Sequence, residues 1–263
     1  MTNENYYLSR ISPKLDLSYK QIMAMGDLNP YGQHQALWRL FNLPKQEIKD
    51  KADFLFRFEI DKQNKLPVFY VISCKQPPRD QEGIWDIESK RYDPDILEGD
   101  RFAFKLRVNP VQVEKKERQG EEIDMWHSHR NKCGLKDKEI TKKRIRHDVV
   151  MEAKSLLKKE GVPREKWPHI NELIHNAGIN WLKKKGTENG FVFSDEDDHG
   201  EVRADGYQMY QFFKNKKNIR FSSLDFTGAL TVTGPSIFKE ILFTGLGPAK
   251  AFGCGLMLVK RVV

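Results

Sequence analysis

The sequence predicts an α+β fold of ferredoxin-like units, and three observations lead there. Short runs of alternating apolar and polar residues mark strands in both halves of the chain. One strong helical pattern lies between the first two of these runs. The second half again alternates helices and strands, although no sequence repeat relates it to the first, so a tandem pair rests on element order.

In chain order, Tyr7 to Ile11 reads as the first strand. Asn29 can cap a helix whose first turn suits Pro30. His34, Leu37, Trp38 and Phe41 then recur on one helical face, and Pro44 is the expected stop. Phe54, Phe56, Phe58 and Ile60 alternate with Leu55, Arg57 and Glu59, the pattern of a half-buried strand. After the polar break Asp61 to Lys65, Leu66 to Cys74 reads as the returning strand of a hairpin. Between Pro77 and Asp100 the pattern is ambiguous, with Ile84 to Tyr92 either strand or irregular. Phe102, Phe104, Leu106 and Val108 alternate with Arg101, Lys105 and Arg107, and Asn109-Pro110 ends that strand. These elements make up a first ferredoxin-like domain over residues 1–112.

Glu114 to Lys143 is charged and weakly periodic, with Gly120 and Gly134, and reads as a basic connector over 113–142. A second domain follows over 143–263. Asp148 caps a helix through Lys159, with Val149, Ala153, Leu156 and Leu157 expected inward and Gly161 as its stop. Pro168 to Lys185 reads as another helix, and Glu188 to Asp205 as an inserted polar loop. Tyr207 to Lys214 and Asn218 to Val232 flank Asn215 to Lys217 as a hairpin, with Leu224, Phe226, Leu230 and Val232 on one face. Pro235 opens a short helix through Ile237, Phe238, Ile241 and Leu242, Gly245 closes it, and Leu256 to Val262 is the last strand.

Composition bounds the function. At 263 residues, 39% hydrophobic and 31% charged, with 16 Phe, 5 Trp and 8 Tyr, the chain can fill two modest cores and is not disordered. Its best apolar run, Leu66 to Cys74, is nine residues long and contains Pro67, against the ~18 of a membrane helix. The polar start Met1-Thr-Asn-Glu-Asn has no apolar region, so no signal peptide is expected. Cys74, Cys133 and Cys254 are an odd and scattered set, which argues against a disulfide framework and for a cytoplasmic protein. The net charge is +8, and its placement says more than its size. Ser128 to His147 alone carries +6, from Arg130, Lys132, Lys136, Lys138, Lys142, Lys143, Arg144 and Arg146 against Asp137 and Glu139. Lys214, Lys216, Lys217 and Arg220 form a second basic cluster, opposed by Asp195-Glu196-Asp197-Asp198. Such segregation favours a nucleic-acid partner.

His34 is the sharpest candidate for chemistry. Tyr31 precedes it by three residues, so both share a helical face near a helix N-terminus, where free N–H groups suit a phosphate. A histidine there can act as general acid or base. A structural histidine packed beside Tyr31 explains the same residues and is the commoner case. The run Gly245-Leu-Gly-Pro-Ala-Lys-Ala-Phe-Gly-Cys-Gly255 lets backbone approach a ligand at Gly247, Gly253 and Gly255, with Lys250 supplying charge; a tight helix-to-strand connection explains it equally well. The hairpin around Lys216 can lie along a nucleic-acid groove or be an ordinary charged turn. His127, His129 and Cys133 lack a fourth metal ligand, and the contiguous acids before His199 suit a solvated loop better than an ion site. No Gly-x-Ser-x-Gly elbow occurs.

Four passages together carry a resemblance: Tyr7-Leu-Ser-Arg, Tyr31-Gly-Gln-His-Gln-Ala-Leu-Trp-Arg-Leu-Phe41, Phe104-Lys-Leu-Arg-Val-Asn-Pro110, and Gly245 to Leu256. The chain resembles the CasE family, CRISPR-RNA endoribonucleases of the type I-E Cascade complex. The resemblance runs from residue 7 to about 260; residues 111–220 match poorly, and the acids near 195 look like an insertion. It implies two tandem ferredoxin-like (RRM-like) domains. It also implies cutting of the CRISPR repeat transcript at the 3′ base of its hairpin, without metal or other cofactor, leaving a 2′,3′-cyclic phosphate. The product crRNA stays bound, and other Cascade subunits are the implied partners. The family's catalytic histidine falls on His34 and its companion tyrosine on Tyr31. The competing expectations are a non-catalytic RNA-binding protein with two RRM-like domains, for which no good RNP1 string is found, and a metal-dependent nuclease using the acidic stretch.

Overall fold

The computed structural model describes residues 5–25, 28–42, 54–80, 82–132, 134, 142–193, 202–214 and 217–262. Pro44, Cys133, Lys136, Lys138, the acidic run 195–198 and Lys216 lie outside the described residues. The chain divides into two compact units, one of residues 1–110 with 168–263 and one of residues 111–167.

The first sheet of the larger unit starts with β1 (Tyr7–Pro13), followed by helices α1 (Tyr19–Met25) and α2 (Pro30–Leu40) and strands β2 (Phe54–Ile60), β3 (Pro67–Ser73) and β4 (Trp85–Arg91). Its order is β2-β3-β1-β4 with every neighbour antiparallel, the strand order of a ferredoxin-like sheet. Alternation places Phe54, Phe56 and Phe69 in a core closed by Ile11, Leu37 and Ile84. The Asn29 carboxamide oxygen accepts from the Tyr31 and Gly32 amides at 3.0 and 2.9 Å, and Pro30 occupies the first turn of α2. Such a cap is worth ~1 kcal/mol. The helix stops at Leu40 because Asn42 turns left-handed, with φ 48°. The ambiguous stretch is the edge strand β4, which pairs with β1 along its whole length. Helix α1 was not expected; its Tyr19, Ile22 and Met23 are exposed.

Strand β5 (Arg101–Val108) is counted with the first half in the sequence reading, yet it sits inside the second sheet. Alternation shows that a strand is half-buried and does not show which sheet it joins. The chain next forms the smaller unit: β6 (Val111–Glu117), α3 (Glu121–Lys132), β7 (Lys142–Asp148) and α4 (Val149–Lys159), then a 3₁₀ turn at Arg164–Lys166. The segment read as a connector therefore carries a strand and a helix, and β6 and β7 pair as an antiparallel ribbon. Asp148 caps α4 as expected, but Val149 and Val150 are its buried residues while Leu156 is exposed.

The larger unit resumes with α5 (Ile170–Glu188), β8 (Phe191–Val192), β9 (Arg203–Lys214), β10 (Lys217–Val232), α6 (Pro235–Thr244) and β11 (Met257–Arg261). The second sheet runs β11-β5-β10-β8, with β9 also on β10, again the ferredoxin-like order with one strand in two pieces. Leu224, Phe226, Leu230 and Val232 are all buried, as their shared face predicts. Strand β5 pairs with β10 only from Leu224 to Thr231, so Lys217–Ser223 and their partners on β9 run on as a two-stranded ribbon. The register shifts between Ser223 and Asp225, where Gly206 has φ 63°. The fold is thus α+β with two tandem ferredoxin-like sheets. No helix among the described residues is long and apolar enough to cross a membrane.

Candidate functional site

Helix α2 holds Tyr31 and His34, three residues apart and both half-buried. The imidazole of His34 lies edge-on to Trp38 and tilted to Phe54, each at 5.5 Å between ring centres, and parallel to Phe56 at 6.4 Å. These rings fix the orientation of the imidazole and leave it partly open to solvent.

The glycine-rich run connects α6 to β11 and packs its 3₁₀ turn, Lys250–Phe252, against α2 and β2. Its backbone is closed by Leu246 N–H to the Gly255 carbonyl at 2.9 Å and Gly255 N–H to the Arg107 carbonyl at 2.7 Å. Gly245 and Gly253 both have φ 77°. A Cβ at Gly245 would meet Leu55 at 2.8 Å, and one at Gly253 would meet Phe56 at 3.3 Å. Glycine is therefore required here by backbone conformation and close packing, whatever else the run does. Lys250 is half-buried in it, and that burial lowers the pKa of its amine below the ordinary lysine value.

The β9–β10 ribbon reaches the same helix through aromatic side chains. Tyr31 stacks on Phe212 at 6.5 Å; Phe212 meets Phe252 edge-on at 5.2 Å; Phe252 stacks on Phe221 at 5.1 Å, and Phe221 on Tyr210 at 4.9 Å. Each such pair contributes about 0.5–1.5 kcal/mol beyond its buried area. The path ties helix, glycine-rich turn and ribbon together. Sequence reasoning missed Phe212, Phe221 and Phe252. Tyr210 and Phe212 alternate on β9, and Phe221 faces Tyr210 across the ribbon, so the signal existed only once the hairpin register was known.

An ion network lies at the ribbon's root. Arg107 on β5 donates to both carboxylate oxygens of Asp225, at 2.9 and 2.8 Å, and to the Phe58 carbonyl at 3.1 Å. Arg57 on β2 donates to Glu59 at 2.7 Å and lies 3.4 Å from Asp225. The network thus joins β2 of the first sheet to β5 and β10 of the second. Beside it a cleft of ≈ 320 Å³ is lined by Pro30, Gln33, Arg107, Tyr210, Phe252 and Cys254, among others. Burial pushes the Cys254 thiol up to about 12, so it stays protonated at neutral pH.

The structure thus brings Tyr31 and His34 together with Lys250, Gly253 and the ribbon. Arg220 is exposed on the ribbon's opposite face, paired with Gln211, and nothing is described of the Lys214 and Lys217 side chains. Gly247 and Gly255 belong to the same glycine-rich run, each with positive φ. Lys142, Lys143, Arg144 and Arg146 all lie on β7 in the smaller unit. Lys143 is paired with Glu122 and Lys142 with Glu117, whereas Arg144 and Arg146 are exposed. His127 and His129 lie on α3, and among the described residues no three His, Cys, Asp or Glu side chains converge as metal ligands.

Comparison with known proteins gives a consistent result. Residues 6–261 match the family described as CRISPR associated protein. The Cascade subunit CasE of Escherichia coli K12 is 24% identical over 228 residues, which is 86% of this chain and 89% of that protein. Thermus thermophilus Cse3, solved bound to an RNA representing a pre-cleavage complex, superposes with a TM-score of 0.61 at 20% identity, covering 97% of this chain and 99% of that one. Cas6e from Escherichia coli K-12 superposes with a TM-score of 0.54 at 20% identity, covering 97% of this chain and 100% of that one. At this identity the structural likeness speaks for the fold.

Proposed function

The chain belongs to the CRISPR associated protein family, and from that premise we propose that it is an endoribonuclease that processes CRISPR repeat RNA and serves as a Cascade subunit. The observation that carries the reading is the convergence of Tyr31 and His34 with the glycine-rich turn and the β9–β10 ribbon on one helix. The likeness to an RNA-bound Cse3 and to CasE supports the substrate and the assembly. The protein acts in the cytoplasm.

RNA supplies its own nucleophile, the 2′-hydroxyl beside the scissile phosphate. In the proposed reaction the 2′-oxygen bonds to phosphorus and the bond from phosphorus to the 5′-oxygen breaks. The 2′-hydroxyl loses a proton, the leaving 5′-oxygen gains one, and the product ends in a 2′,3′-cyclic phosphate. The protein's work is to align these atoms, move the protons and stabilise the added charge on phosphorus. His34 moves a proton, a role worth about 10²–10⁴-fold in rate. Tyr31 holds or donates a proton beside it, and Lys250 supplies positive charge from the adjoining turn. Cleavage falls at the 3′ base of the repeat hairpin and needs no metal ion. Lys214, Lys216, Lys217 and Arg220 hold the stem, Gly247, Gly253 and Gly255 bring backbone near it, and Lys142, Lys143, Arg144 and Arg146 add charge along the RNA. The cut crRNA then stays bound.

The test is cleavage of a CRISPR repeat hairpin RNA in EDTA by wild type and His34→Ala. Cutting by the wild type, lost in the variant while hairpin affinity persists, is the expected result. Binding without cutting by the wild type would instead fit a non-catalytic RNA-binding protein.

A further inference from the structure

The smaller unit contains a ribbon, β6–β7, whose two faces carry charge differently. Directly paired residues share a face. One face carries Gln112 with His147, Glu114 with Ile145, and Lys116 with Lys143. Its basic residues all have acidic neighbours: Lys143 pairs with Glu122, Lys116 with Glu114 at 3.5 Å, and the His147 Nε2 with Glu114 at 3.2 Å. The opposite face carries Val111 with Asp148, Val113 with Arg146, Lys115 with Arg144, and Glu117 with Lys142; the Asp148 carboxylate is taken up by the Val150 and Met151 amides at the start of α4. Lys142 and Glu117 pair at 3.7 Å and bound the patch at one end. Lys115, Arg144 and Arg146 are exposed, and none of their side chains forms an ion pair or hydrogen bond with a described residue. Like charges directly opposite each other on a ribbon are destabilising. Lys115 and Arg144 are such a pair, on a ribbon whose other face leaves no cation unmatched among the described residues.

We propose that Lys115, Arg144 and Arg146 form a phosphate-binding ladder that grips the backbone of an RNA stem without reading its sequence. The proposal rests on the RNA-processing reading above. It adds Lys115 to the residues named there; Lys142 and Lys143, each beside an acid, add charge near the RNA and are not rungs of the ladder. Residues two apart on one strand face lie ~6.6–6.8 Å apart, a step suited to successive phosphates. Guanidinium groups match phosphate oxygens two at a time. An acidic protein partner fits less well, because Val111 and Val113 are the only apolar residues among the eight of this face and protein interfaces need a larger apolar or aromatic anchor.

The experiment compares the full chain with its Lys115→Gln/Arg144→Gln/Arg146→Gln variant, using a CRISPR repeat hairpin RNA as probe at several salt concentrations. Each phosphate contact contributes ~0.9 to the slope of log K against log salt, so the slope should flatten by about two to three and low-salt affinity should fall tenfold or more. Lys116→Gln, on the matched face, should keep the wild-type slope. A folded triple variant with wild-type affinity and slope would overturn the ladder, and wild-type binding and cleavage in the same series would leave the RNA-processing reading standing. If the wild type fails to bind the RNA, both fall. A triple variant that keeps its RNA affinity but loses assembly with other Cascade subunits would assign this face to a protein and also overturn the ladder.

Discussion

Asp225→Asn removes one negative charge from the junction between the two sheets, and its cost can be worked from the contacts there. Asp225 receives two N–H donors from Arg107 and lies 3.4 Å from Arg57. The Arg57 side chain is 5% exposed, Asp225 21% and Arg107 23%. Breaking a fully buried pair costs about 3–5 kcal/mol, and an exposed pair about 0–1 kcal/mol. This network lies nearer the buried end, but the loss is cushioned. Arg57 keeps Glu59, and Arg107 keeps the Phe58 carbonyl. A loss of about 2–3 kcal/mol follows, from a total of roughly 5–15 kcal/mol, so the variant should fold and unfold at lower urea. Urea denaturation of Asp225→Asn, Arg57→Met and the double variant would measure it, and the two losses should fall short of additive by at least about 0.5 kcal/mol. Since Asp225 also sits at the register shift where the ribbon leaves the sheet, Asp225→Asn should weaken hairpin-RNA binding. A stability loss under about 1 kcal/mol, with additive singles, would refute the view that this network joins the sheets.

Further outcomes are expected. Replacing Lys214, Lys216, Lys217 and Arg220 with alanine should weaken RNA binding and flatten its salt dependence; an unchanged slope would remove the ribbon from the interface. Native protein at pH 8 should react with a thiol reagent at the exposed Cys74 and not at Cys254, whose pKa is raised by burial to about 12, so that its thiolate is scarce until pH approaches that value. Rapid native labelling of Cys254, read by peptide mass, would contradict its burial. Phe212→Ala should slow cleavage of bound RNA through loss of the Tyr31 stack, with Phe212→Tyr restoring it; equal rates for both variants would detach the ribbon from the helix.

The parts of the fold legible in the sequence are those where burial writes a pattern. Helix α2 could be read from Asn29-Pro30 and the repeat of His34, Leu37 and Phe41, because one of its faces meets the core. β2, β3, β5 and β10 could be read because apolar side chains alternate or cluster on their buried faces. Where burial is lacking the pattern fades. Strand β4 buries Trp85 and then turns Asp86, Glu88, Lys90 and Arg91 to solvent. β6 and α3 bury nothing fully, which is why their segment reads as a connector. In the candidate site, the shared face of Tyr31 and His34 follows from helical spacing alone. Their neighbours do not: Phe212 and Phe252 arrive from strands and turns far along the chain, and the Arg57, Arg107 and Asp225 cluster needs three strands in register before it exists.

The central claim is that the RNA, placed against His34 and Tyr31, attacks itself. One measurement addresses it directly: cleavage and gel shift on a repeat hairpin RNA carrying a single 2′-deoxy sugar just 5′ of the scissile phosphate, beside an all-ribose control. The modification removes the nucleophile and at most one hydrogen bond, while binding spread over many phosphates should survive. The predicted result is near-normal binding with no cutting at the modified position. Efficient cutting there would mean that the attacking oxygen comes from elsewhere, and the internal-nucleophile account would fall even with the fold and the RNA binding intact.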